Sequence, residues 1–293
     1  YKLISTYIPA IKFKHTNTPW NIMKTINLTK NILGIVSEYD LLYFIENHKN
    51  NNLRFICNIF YKYFTILSIK EKSITNLKNK SIGVVKNSPA LYVLKRLQTL
   101  FKFNLVIINT IEIKNIYRIL KSKKLDALAL FISHPNKELV QLFKKYTLNM
   151  FGTNNVPKSI LKTIIPNYKE SSIEIIDYIH EQNYMIPTIK IYNMIITNKS
   201  TSEQISYLIL KNLYHKFSDI KLVKDVFLKR QTNYFNINNI FISNNPKFIL
   251  HKGVYKYYTD KGYITFIDRN ICRKQVGLQK CDLNARLNPY RIL

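Results

Sequence analysis

Glycine is in short supply, with 6 residues in a chain of 293. A P-loop and a dinucleotide-binding fingerprint each need several glycines at fixed spacing, and neither is present. Ser88 precedes Pro89 instead of lying in a glycine-flanked nucleophile elbow. Cysteine is rarer still. Cys57, Cys272 and Cys281 are too few and too widely spaced for a disulfide framework or a zinc motif. A Cys272–Cys281 bridge in an oxidising compartment, leaving Cys57 as a buried thiol, and three unpaired thiols both remain open. The six histidines stand apart from one another, so no His–Cys or His–Glu metal cluster is visible, and neither a metal nor another cofactor is expected. No apolar run reaches the roughly 18 residues of a membrane-spanning helix. No repeat of 20–50 residues is present. The chain starts at Tyr1, without Met or a secretory leader, and is expected to be a processed or trimmed form.

Acidic residues are the other shortage: 17 against 45 Lys and Arg, for a formal net charge of +28. One reading is a surface for nucleic acid or anionic membrane. The other is compositional: Lys, Asn, Ile and Tyr dominate, as they do when codons are drawn towards A and T. The basic residues are scattered, with no dense Arg run and no aromatic-basic RNA motif. Charge alone therefore selects no function. A hydrophobic fraction of 46% with mean hydropathy −0.13 fits a globular protein, and the length suffices for two domains with separate cores.

What is present centres on residues 81–136. Three short apolar runs, Ser81–Val85, Leu105–Ile108 and Leu125–Ile132, alternate with two amphipathic stretches. Ala90, Leu94, Leu97 and Phe101, with Val93 and Leu100 beside them, form one helical stripe; Ile113, Ile116, Tyr117 and Leu120 form another. Continuous apolar runs suit strands buried on both faces, and their alternation with helices predicts βαβ crossovers in an α/β domain. Ligands of such sheets bind at the carboxyl ends of the strands. Lys86-Asn87-Ser88 and Ser133-His134-Pro135-Asn136 are therefore the first candidates. Asp126, at the entry to a strand, is expected to cap structure and not to carry acid–base chemistry.

Elsewhere, residues 1–14 read as the end of a helix and an extended entry, His15–Trp20 as a loop, and Asn21 to about Lys30 as a helix. Leu33–Ser37 reads as a buried strand. Leu53–Phe60 and Tyr63–Ile69 read as two further apolar runs, separated from Ser37 by an exposed Asn-Lys loop at 48–52. Residues 151–171 look loop-like and 184–198 extended. Ser200–Glu203 has capping-box spacing before a helix whose stripe is Ile205, Leu208, Ile209 and Leu213. Residues 230–245 look irregular, and His251–Gly262 is a short helix closed by a glycine. Two chain crossings are expected, so residues 79–188 would form an α/β lobe inserted in an outer lobe of residues 1–78 and 189–262, with 263–293 as a basic tail.

Several of these segments resemble the TAXI-type solute receptors of tripartite ATP-independent periplasmic (TRAP) transporters. Leu33-Gly34-Ile35-Val36 resembles the family's strand after a Thr-containing loop, and Ile74–Gly83 its "aDLkGkrV" entry to the second lobe. Lys124-Leu125-Asp126-Ala127 with His134-Pro135-Asn136 resembles "kiDA…GHPN", and Ile165-Pro166-Asn167-Tyr168 its "IP…Y" loop. Leu250–Gly262 is similar to "LHPGAlkYYkEkG", the most specific of the five. The likeness spans roughly residues 10 to 265. Two loops depart from it: Thr16-Asn17-Thr18-Pro19 and Lys86-Asn87-Ser88-Pro89 stand where the family has glycines. Glycines let backbone N–H groups approach a carboxylate closely, so these replacements are expected to narrow the pocket and remove donors.

The resemblance implies a two-lobed, type II periplasmic-binding-protein-like α/β fold with a hinge and an interlobe cleft. It implies a non-enzymatic receptor that captures a small carboxylate or amino acid in the periplasm and delivers it to a TRAP membrane permease. Thr16, Thr18, Ser37, Lys86, Ser88, His134 and Tyr168 would line the site. Thr16, Thr18 and Ser88 would donate to carboxylate oxygens, Lys86 would balance charge, and His134 and Tyr168 would orient the far end. The rival reading is a repurposed scaffold whose pocket has eroded. It would serve as a structural or RNA-associated subunit of a larger assembly, in an AT-rich endosymbiont or in the mitochondrial or another organelle matrix.

Overall fold

The computed structural model describes residues 19–48, 51–165, 168–179, 182–216 and 249–261. Among these the architecture is mixed α/β, as the alternation of apolar runs and amphipathic stretches requires. The chain divides into two compact units, one of residues 1–60 and 193–293 and one of residues 61–192.

The first unit begins with α1 (Pro19–Leu28), whose buried Met23 and Ile26 face β1 (Leu33–Ser37). Ser37 then caps α2 (Glu38–Asn47): its Oγ accepts from the Asp40 N–H and donates to Asp40 Oδ2 at 2.6 Å. That cap starts a helix in a stretch whose sequence carries no obvious apolar period. β1 pairs antiparallel with the second half of β8 (Met185–Asn198), Leu33 opposite Thr197 through Ser37 opposite Asn193. Asn198 ties the strand end to α1 by donating to the Ile26 carbonyl at 2.7 Å.

The unit's last two described helices are α7 (Glu203–Lys216) and α8 (Lys252–Asp260). Ser200 does not form the expected capping box; its hydroxyl bonds Asn198 Oδ1, and the helix starts at Glu203. Ile209, Leu210 and Leu213 are buried and Leu208 is exposed, so the buried stripe is rotated from the one the spacing suggested. α8 begins on His251, whose Nδ1 accepts from the Gly253 N–H at 3.2 Å. Gly253 has a steric reason: a Cβ there would collide with the Glu203 carbonyl oxygen of α7 and press on Ser206. Buried Tyr257 and Tyr258 complete the contact.

The two apolar runs from Leu53 to Ile69 turn out to be one strand, β2 (Leu53–Ser68), which passes from the first unit into the second. Within the second unit, Tyr63–Leu67 pairs antiparallel with β5 (Ala127–Ile132), and Ile66–Ser68 pairs on the other side with β6 (Asn149–Phe151). β3 (Ser81–Val85) lies parallel to both β5 and β4 (Asn104–Ile108), as apolar runs joined by crossovers should, but β4 is the edge strand and, against the expectation of burial on both faces, leaves Ile107 exposed. The crossover helices are α3 (Pro89–Phe101) and α4 (Ile116–Ser122). α3 buries Ala90, Val93, Leu94 and Leu97 and exposes Leu100. α5 (Lys137–Lys145) follows β5, with Leu139 and Leu142 in a core shared with Leu67, Ile116, Leu120, Leu128, Ile173 and Tyr178.

Residues 151–171 are more ordered than a loop. α6 (Lys158–Ile164) starts after Pro157, which fixes an extended entry and needs no N–H there. β7 (Glu170–Glu174) then pairs antiparallel with the first half of β8. The expectations for residues 1–18, for 230–245, for Gly262, for Cys272 and Cys281 and for the basic tail fall outside the described residues. Cys57 is a buried free thiol.

Candidate functional site

β3 and β5 lie side by side and parallel, so their carboxyl ends share one edge of the second unit. At the end of β3 the Lys86 N–H donates to the Ile108 carbonyl at 2.8 Å, which holds the strand end against β4. Asn87 then takes a left-handed conformation, φ 56°. Ser88 is extended, and its Oγ accepts from the Leu91 N–H at 3.3 Å to cap α3, with Pro89 in the first turn. Lys86 and Asn87 are exposed and Ser88 is half-buried. The shortage of glycine therefore does not abolish the turn. Of the six non-glycine residues with positive φ among the described residues, four are asparagines, the side chain that best tolerates this region. Asn87 is doing here what a glycine would do.

At the end of β5, Ser133 Oγ donates to the Tyr61 carbonyl at 3.2 Å, and Asn136 Oδ1 accepts from the Leu139 N–H to cap α5. His134 sits between them, 6% exposed, next to Pro135 across a cis peptide. Its two nitrogens are engaged inside the unit: Nε2 lies 2.7 Å from Thr65 Oγ1 and Nδ1 2.5 Å from the Tyr178 hydroxyl. Thr65 Oγ1 already donates to the Tyr63 carbonyl, so it must accept from His134 Nε2–H. Nδ1 then accepts from Tyr178, whose oxygen in turn accepts the Asn136 N–H at 2.9 Å. The relay requires a neutral imidazole, and burial pushes the His134 pKa down to about 3. His134 was expected to orient the far end of a ligand; in the structure both its ring nitrogens have partners within the unit. It presents no nitrogen outward; it braces the Asn136 loop and the β2–β5 pair.

The other expected residues are distributed as follows. Ser37 is 5% exposed, belongs to the first unit, and spends its hydroxyl on capping α2. Tyr168 is half-buried in the second unit near the Lys158–Glu170 ion pair; burial first, then Glu170, raises its pKa while Lys158 opposes. Thr16 and Thr18 fall outside the described residues. Lys86 and Ser88 are the two that the structure brings to one exposed strand end. Asp126 is structural, as expected: its Oδ2 accepts the Ser81 N–H at 2.8 Å and its carboxylate pairs with Lys80 at 3.7 Å. Among the described residues no group of His, Cys, Asp and Glu could hold a metal.

One cluster had no motif to announce it. Tyr61 on β2 and Tyr192 on β8 pack with ring centroids 4.4 Å apart, and the Tyr61 hydroxyl donates to that of Tyr192 at 3.0 Å. Lys190 Nζ lies 4.8 Å from the Tyr61 ring centre, and Lys169 Nζ lies 4.3 Å from that of Tyr192. Lys190-x-Tyr192 is a period-2 pair on a strand, which is the one local hint in the sequence.

Several solved structures are similar to the chain. An ancestral arginine-binding protein bound to arginine has 16% identity and a TM-score of 0.46, with 74% of this chain and 80% of that one covered. The GluR0 ligand-binding core complexed with L-glutamate has 11% identity and a TM-score of 0.46, covering 74% and 82%. A structure from work on glutathione import through GshT and the cystine ABC importer TcyBC of Streptococcus mutans has 11% identity and a TM-score of 0.47, covering 76% and 80%. No curated protein is matched by sequence. A family model described as NMT1-like matches residues 42–262, most of the chain and both of its units. The chain belongs to the NMT1-like family.

Proposed function

We propose that the protein is a non-enzymatic solute receptor that captures a small organic anion or amino acid in the periplasm for a transporter permease. The observation that carries this reading is the edge where β3 and β5 end side by side. Each strand there runs into the start of a helix, α3 behind Ser88 and α5 behind Asn136. Two helix N-termini and the exposed Lys86 make that edge electropositive, which suits a carboxylate. Ser88 Oγ accepts from Leu91, so its own proton is left to donate. In this reading Lys86 balances the ligand charge and Ser88 contacts an oxygen, with Tyr168 as a further contact; His134 holds the Asn136 loop from behind.

The finer assignment, a TAXI-type receptor serving a TRAP permease, is supported by the resemblance of residues 250–262, whose glycine has its steric role at the α7–α8 contact. Thermal-shift screening of the purified chain with small carboxylates and amino acids tests the receptor. Saturable stabilisation by one of them, weakened in Lys86→Met, is expected. Silence across the set would sink the reading.

A second reading, the RNA-associated scaffold, draws on a different surface. Tyr117 and Tyr146 stack at 3.9 Å, with Lys121 Nζ 5.1 Å from the Tyr117 ring and Lys145 Nζ 5.4 Å from the Tyr146 ring. Exposed cations around half-buried aromatic rings suit a nucleic-acid backbone. Association with RNA that falls steeply with salt, and weakens in Lys121→Met/Lys145→Met, would favour it over the receptor.

A further inference from the structure

We propose that the open edge of β4 is a docking site for an extended segment of a partner protein, apolar at its centre and acidic at its ends, which adds a strand to the sheet. The proposal goes beyond the solute reading and does not depend on it. Among the described residues β4 is bonded on one side only, to β3. The Asn104 N–H donates to the Lys80 carbonyl at 2.8 Å, and the Ile108 carbonyl accepts from the Lys86 N–H at 2.8 Å. Backbone groups alternate in direction along a strand, so Asn104, Val106 and Ile108 spend theirs on β3. Those of Leu105 and Ile107 point away from the sheet, a row of donors and acceptors that a further strand can use.

Edges of this kind are normally guarded by charge, proline, a bulge or shortness. The unit's other outer strands show such guards: β7 carries Glu170 and Glu174 at its ends, and β6 is three residues long. β4 has neither. From Phe103 to Ile111 the chain holds no charged residue, proline or glycine, although 21% of the whole chain is charged. The side chains fit the same picture. Val106 and Ile108 turn into the core, while on the opposite face Leu105 is half-buried and Ile107 is 47% exposed. Charge decides the occupant. A second copy would bring another +28 against this one, and the exposed Lys102 and Lys86 stand beside the two ends of the strand. A segment with carboxylates flanking an apolar centre complements both the edge and its ends.

The test is fluorescence anisotropy of a dye-labelled synthetic peptide, alternating valine and threonine with two aspartates at each end, titrated with the full chain. Wild type should bind it saturably, and more weakly as salt rises. Ile107→Lys sets a guard on the edge at an exposed position; it should melt as wild type does and lose about tenfold or more in affinity. The same peptide, N-methylated throughout its centre, can add no strand and should lose at least about tenfold against wild type, an arm that needs no variant to fold. Lysines in place of the aspartates should abolish binding. No binding of the acidic peptide by wild type overturns the site. Equal binding by Ile107→Lys, or equal binding of the methylated peptide, also overturns it, because charge alone then holds the peptide. A chain that sediments as a dimer, and as a monomer in Ile107→Lys, overturns it as well, since a second copy then occupies the edge. The thermal-shift screen with small solutes is untouched by these outcomes, so the receptor reading stands or falls separately.

Discussion

His134 gives the sharpest quantitative test, because its hydrogen bonds and its burial demand the same protonation state. In the folded protein it is neutral, donating through Nε2 to Thr65 and accepting through Nδ1 from Tyr178, and burial holds its pKa down to about 3. In the unfolded chain it titrates near 6.5. Between those values the unfolded state binds a proton that the folded state refuses, so stability falls as pH falls through 6.5 towards 3 and is fully present above 6.5. The slope is about 1.4 kcal/mol per pH unit, so this residue alone removes about 1.4 kcal/mol at pH 5.5 and about 2.7 kcal/mol at pH 4.5. Histidine-to-glutamine exchange removes the titration. His134→Gln should lose about 1–3 kcal/mol at pH 8 through the broken relay, then show a shallower decline, its deficit shrinking as pH drops. Urea unfolding by circular dichroism at pH 8, 6.5, 5.5 and 4.5 measures both curves, with hydrogen exchange at β5 amides confirming which unit responds. His251 is also pushed down by burial, and it contributes equally to both proteins, so it cancels in the difference. Parallel curves for wild type and variant across this range would refute the reasoning, since His134 would then be solvated or charged in the native state.

Gly253→Ala places a Cβ against the Glu203 carbonyl, so the α7–α8 contact must open; a loss of about 1–3 kcal/mol is expected in urea unfolding despite the better helix propensity of alanine. Asn87→Gly should be nearly neutral, whereas Asn87→Val should cost about 1–2 kcal/mol, because φ 56° is closed to a β-branched residue; equal melting temperatures for the two would deny the left-handed turn. Ser88→Ala removes the α3 cap and should lower stability by about 1 kcal/mol in the absence of any solute, and a variant as stable as wild type would show that the hydroxyl is not capping.

Much of the second unit was legible because its signals are local. Ser81–Val85 and Ala127–Ile132 are apolar runs with no polar period, as strands inside a sheet require, whereas the similar run Asn104–Ile108 forms the edge strand and leaves Ile107 exposed. Helix α3 announces itself by its stripe and by Ser88-Pro89. Helices α2 and α6 were less readable, since each is short and rests on one boundary residue, Ser37 or Pro157, more than on periodicity. The single strand Leu53–Ser68 read as two because its burial requirements change along its length as it passes from one unit to the other. The departure at Lys86–Pro89 reads as a lost glycine loop, yet the turn is still made, because asparagine tolerates the positive φ that position 87 requires.

By itself, the sequence determined the alternation of strands and helices, the parallel βαβ core, the carboxyl-end loops worth inspecting, and the absence of glycine-rich phosphate-binding motifs. These depend on the period of apolar residues and on spacing along the chain. Tertiary structure alone decided what the polar residues do. His134 looked like a ligand contact until Thr65 and Tyr178, 69 and 44 positions away in sequence, were seen to occupy both its nitrogens. Lys169 and Lys190 looked like two of many scattered cations until strand pairing set them face to face over Tyr192 and Tyr61. A side chain's protonation and partners are set by what lies within a few ångströms, and that neighbourhood is assembled from distant parts of the chain.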